Sequence, residues 1–95
     1  MQNYELVTII SPEVDDERVL EVVDKMNQLI SDKEGVVEGT ERWGMKKLAY
    51  PIKRFMEGNY IVTRFKLEPK FVKELETNLR AAEEVLRHLV VKVGD

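Results

Sequence analysis

The sequence predicts an α+β fold in which four strands form one antiparallel sheet and two helices cover one of its faces. Three observations carry that prediction. Two stretches repeat apolar residues at helical spacing, four are rich in β-branched and aromatic residues, and the order is strand, helix, strand, strand, helix, strand. Joined by right-handed crossovers, that order gives a split βαβ sandwich with one face of the sheet left open.

The first strand is Tyr4–Ile10, stopped by Ser11-Pro12. A helix follows from Asp15, with Val19, Val22, Val23, Met26, Leu29 and Ile30 recurring on one side. Asp15 suits the N-cap, Asp16 and Glu17 lie where the helix dipole favours anions, and Gly35 is placed to end the helix. Val36 to Ile52 reads as a long extended segment in which Gly39 and Gly44 predict bulges. Glu57-Gly58-Asn59 has turn chemistry, and Tyr60–Leu67 returns as a strand with Ile61, Thr63, Phe65 and Leu67 on one face. Pro69 opens a second helix whose buried stripe is Phe71, Val72, Leu75, Leu79 and Ala82. Arg87–Val93 closes the sheet, with Leu89, Val91 and Val93 together on one side. The architecture expected is a ferredoxin-like sandwich. Its open face is expected to carry Glu5, Val7, Ile9, Tyr60, Val62, Arg64, Lys66, His88, Val90 and Lys92.

Ninety-five residues suit a single domain over 1–95, with one modest core burying about two-thirds of the unfolded surface. Hydrophobic residues at 43% exclude disorder, and charged residues at 35% exclude a membrane protein. No apolar run approaches the roughly 20 residues of a membrane span, and Met1–Glu5 has no signal-peptide character. Without cysteine and with His88 as the single histidine, neither a disulfide scaffold nor a thiolate or multi-histidine metal site is expected. No triad, phosphate-cradling glycine pattern or calcium loop is present, so no catalytic residue, cofactor, metal or small-molecule substrate is assigned.

The net charge of −3 hides a sharp division. Residues 1–41 carry three basic side chains against eleven acidic ones. Residues 42–66 carry seven basic ones (Arg42, Lys46, Lys47, Lys53, Arg54, Arg64 and Lys66) against Glu57 alone, and residues 67–95 are nearly balanced. Screening over about 8 Å means that a phosphate feels the local cluster more than the molecular total. Arg42, Lys46, Lys47, Lys53 and Arg54 therefore suit contacts to an RNA backbone. A solvated, aggregation-resistant strand edge explains the same charges. Trp43 and Tyr50 interleave with the cations, placed either to stack on a base or to brace the ribbon. Gly58–Phe65 matches the aromatic strand of RNA-recognition motifs poorly, because alternation sends Phe65 to the core.

Gly44-Met45-Lys46-Lys47-Leu48-Ala49-Tyr50-Pro51-Ile52 resembles the hallmark segment of the bacterial small-subunit ribosomal protein S-six (S6) family. Tyr4-Glu5, Gly58 with Tyr60, and Val85–Lys92 extend the resemblance over essentially the whole chain. It implies a ferredoxin-like, non-enzymatic protein of the cytoplasmic ribosome. It also implies that the chain binds the central domain of small-subunit (16S) ribosomal RNA together with ribosomal protein S-eighteen (S18), in support of translation. Lys46, Lys47, Arg87 and Lys92 take the family's basic positions and inherit RNA contact from it, as does Tyr4. Arg42, Lys53 and Arg54 rest on the cationic segment alone. Gln2 and Asn3 stand where members commonly place arginine. From another class, the alternative is a small interaction or ligand-sensing domain that dimerises through its open sheet.

Overall fold

In the computed structural model, which describes residues 1–94, the elements follow the expected order. They are β1 (Gln2–Ile10), α1 (Asp16–Asp32), β2 (Val36–Ile52), β3 (Phe55–Leu67), α2 (Val72–Ala81) and β4 (Val85–Lys92). A short 3-10 turn over Pro69–Phe71 leads into α2, with proline at its start where no amide donor is needed. The sheet order is β2-β3-β1-β4, with every neighbouring pair antiparallel. This is the ferredoxin-like arrangement. Strands β2 and β4 form its two edges.

One face of the sheet is sealed by the helices. Tyr4, Leu6 and Ile10 of β1 and Ile61, Phe65 and Leu67 of β3 meet Val19, Val22, Val23, Met26 and Ile30 of α1 and Leu75 and Leu79 of α2. The N-cap of α1 is Asp15, whose carboxylate accepts the Arg18 amide at 2.8 Å.

The end of α1 differs in detail from the sequence reading. The left-handed residue there is Glu34 (φ 62°), not Gly35. Gly35 is demanded by space instead, because a Cβ would come within 2.7 Å of both the Ile30 side chain and the Lys66 carbonyl.

Two further expectations are corrected. The β2–β3 turn is not at Glu57-Gly58-Asn59, since β3 already begins at Phe55 and Gly58 pairs with Lys46 inside the ribbon. The turn is Lys53-Arg54, at φ 48° and 71°. Turn-prone residues remain in the strand because Gly58 lies under β1, where a Cβ would sit 2.4 Å from Ile9 Cγ2. The second correction concerns β4. Thr8 and Leu6, which face the helices, pair with His88 and Val90, so those two lie on the covered side, and Lys92 follows opposite Tyr4. Arg87, Leu89 and Val91 take the open face. A register shift at Ile9/Ile10 sets this phase, and a one-residue slip exchanges the two faces of a strand. The covered side accepts a histidine because His88 Nε2 lies 3.0 Å from Glu76 Oε2 on α2.

Candidate nucleic-acid interface

The cationic segment forms the distal half of the β2–β3 hairpin. Three register shifts punctuate β2: at Val37/Gly39, at Arg42/Gly44 and at Lys47/Ile52. The last is the largest. Lys47 pairs with Glu57 and Ile52 with Phe55, so Leu48–Pro51 stand opposite Met56 alone. The excess chain curls over the open face of the sheet. Leu48 becomes buried there, and with Tyr50, Val7, Ile9, Tyr60 and Leu89 it lines a pocket of about 230 Å³. Arg87, reaching from β4, donates to the Tyr50 hydroxyl and places its guanidinium 5.9 Å from the ring centroid. The two edge strands of the sheet are thereby tied together at this end.

The charges within this region divide into committed and uncommitted ones. Arg42 pairs with Asp16 of α1 at 2.5 Å. Arg64 holds Glu41 at 2.9 Å and Glu5 at 3.7 Å, and Lys66 holds Glu38 at 3.5 Å. Arg54 meets Glu13 only at 3.9 Å and is largely exposed. Among the described residues, Lys46, Lys47 and Lys53 have no carboxylate partner, nor do Arg87 and Lys92. Lys46 and Lys47 are consecutive in an exposed strand, so they project from opposite faces of the ribbon. The hairpin end is a two-sided cationic blade whose charge is not spent within the fold.

The family model for ribosomal protein S6 matches residues 3–92. The chain belongs to the ribosomal protein S6 family. A small ribosomal subunit protein bS6 of Moorella thermoacetica is 38% identical over 95 residues, covering 100% of this chain and 97% of that protein. The bS6 of Clostridium novyi is 40% identical over 91 residues, covering 96% of each. The crystal structure of 30S ribosomal protein S6 from Thermotoga maritima superposes with a TM-score of 0.91 at 33% identity, over 97% of this chain and 87% of that one. The C-terminal domain of the MgtC protein from Mycobacterium tuberculosis, at 14% identity and a TM-score of 0.69, shares the fold alone. The S6 family is one of structural ribosomal proteins of the small subunit, not of enzymes. No described helix is long and apolar enough to cross a membrane.

Within this S6 fold, the residues singled out in the sequence do not all come together. Lys46, Lys47, Lys53 and Arg54 share the hairpin end, and Arg87 joins them through Tyr50. Lys92 lies five residues beyond Arg87, about 17 Å along β4, on the covered side opposite Tyr4. Arg42 points toward α1 and is neutralised there. Tyr4 is a core residue, 8% exposed, its ring stacked on Phe65 at 5.4 Å between centroids. That ring face is occupied and cannot receive a base. The sequence points to Arg87 at the site but not to its contact with Tyr50, 37 positions away. Pro51 is the only local signal of that contact, since the three extra residues of β2 are a feature of the strand pairing.

Proposed function

We propose that this chain is a structural constituent of the small ribosomal subunit that binds 16S ribosomal RNA jointly with S18 and so supports translation. The observation that carries the reading is the uncommitted charge of Lys46, Lys47 and Lys53 on one hairpin end, with Arg87 and Arg54 beside it. Phosphates binding such a blade release condensed counterions, which supplies affinity without base readout. Cations on both faces of the ribbon suit insertion into a junction, where phosphates of two strands approach from two sides. Arg42 contributes less because Asp16 already neutralises it, Lys92 marks a separate contact at the far end of β4, and Tyr4 acts through the core. S18 enters through the family resemblance and the acidic first segment, which repels RNA and needs a basic companion.

Replacing Lys46→Glu and Lys47→Glu together tests the assignment. With S18 present, affinity for small-subunit RNA is expected to fall steeply at low salt. The slope of log K against log salt should become shallower by about 1.5, as for two lost phosphate contacts. The circular dichroism spectrum should not change, because both side chains are exposed. Unchanged affinity and slope would remove the hairpin end from the interface.

A further inference from the structure

Trp43, the single tryptophan of the chain, is 52% exposed, and its exposure is built into the strand. The register slip between Arg42 and Gly44 makes Trp43 the unpaired residue of a β-bulge, a feature that re-aims a side chain. Gly44 holds the bulge at φ +84°, and a Cβ there would touch nothing, so glycine is required by the backbone and not by packing. The indole is then pinned by its edge. Its Nε1–H donates to Glu41 at 3.2 Å, and Arg64 holds the same carboxylate at 2.9 Å. These contacts keep the Glu41 carboxyl below the usual carboxylate range, with the Trp43 hydrogen bond the larger cause and the Arg64 charge next. The Lys46 ammonium stands over one face of the ring, 5.6 Å from its centroid, so a base would use the other face.

We propose that Trp43 is a stacking platform for an unpaired base of the RNA, with the ammonium of Lys46 receiving a phosphate beside it. The inference rests on the RNA-binding reading above. A ring fixed by its edge loses little freedom when a base lands on its face, and stacking tolerates any base because each has a π surface. The flanking charge favours RNA over an apolar protein surface: Arg42 to Arg54 contains no acid, and Glu41 is already neutralised by Arg64. Tyr50 plays the other role open to an aromatic residue here. Its hydroxyl is taken by Arg87 and its ring lies against that guanidinium, so it braces the hairpin.

The experiment titrates the chain, saturated with S18, with small-subunit ribosomal RNA. Indole fluorescence is read as the difference from a Trp43→Phe variant, which removes any signal from S18. RNA is expected to quench Trp43. Trp43→Ala should weaken RNA binding about tenfold, within the range for one stacked base, Trp43→Phe should retain most of the affinity, and neither should alter the salt slope. RNA binding with the indole unquenched and Trp43→Ala at full affinity would overturn the inference and leave the RNA reading standing. A Trp43→Ala loss already present in S18 affinity without RNA would also overturn it, making Trp43 a protein anchor. Absence of RNA binding by the unaltered pair would overturn the RNA reading and this inference with it.

Discussion

Tyr4 and Glu84 show how side chains in one small fold divide between packing and charge. Tyr4 contributes a ring to the core, stacked on Phe65, and its strand pairs with both β3 and β4. Tyr4→Phe is expected to preserve both stability and RNA affinity. Tyr4→Ala should cost about 3–4 kcal/mol through the cavity it leaves, read from the urea midpoint. A Tyr4→Phe variant that folds normally but loses RNA binding would restore the hydroxyl to the interface. Glu84 answers to pH. Its carboxyl is held below the usual range by a backbone hydrogen bond of its own and then by Arg18, which it pairs with at 2.5 Å. A carboxyl whose pKa falls on folding stabilises fully above its unfolded value, near 4.5, and progressively less as pH drops through its folded value. Thermal melts across that acid range should therefore decline less steeply for Glu84→Gln than for the unaltered chain. Parallel declines would show that the pair contributes nothing. Among single residues, the sequence disclosed Asp15 as a cap and Phe65 as core, because each is governed by its own local period. It could not disclose that Tyr4 is closed to a base, since that depends on a ring from a strand more than fifty positions on.

At the scale of elements, the β2–β3 hairpin departs furthest from ordinary preference. A two-residue turn with both central residues at positive φ is the niche of Asn-Gly, and Lys53-Arg54 occupies it. Left-handed backbone costs a residue with a side chain about 1–2 kcal/mol. The double change Lys53→Asn, Arg54→Gly is accordingly expected to raise the melting temperature while weakening RNA binding. A stabilised variant that binds RNA at full strength would mean that the tip is not part of the contact. Glu57-Gly58-Asn59 misled the reading of this turn because the glycine serves close packing under Ile9, a tertiary demand that composition does not carry. β4 misled for a related reason. Leu89, Val91 and Val93 look like a core stripe, yet the register shift at Ile9/Ile10 turns His88 and Val90 toward the helices, where Glu76 meets the imidazole. By contrast, the bounds of β2 and the path of both helices were legible, since glycine bulges and apolar periodicity are local signals.

For the whole molecule, the governing feature is the segregation of charge. Residues 1–41 are acidic, yet their Asp16 pairs closely with Arg42 of the hairpin, while Glu13 only approaches Arg54 of the turn, at 3.9 Å. The fold neutralises Arg42 and leaves Lys46, Lys47, Lys53 and the largely exposed Arg54 outward. Such a molecule attracts phosphate over a limited front and repels it elsewhere, which is why the proposed binding includes a basic companion. The measurement that tests this most directly compares affinity for small-subunit ribosomal RNA near physiological salt, with S18 absent and with it present. Weak binding alone and a marked gain on adding S18 is the predicted result. Tight binding that is indifferent to S18 would contradict the account.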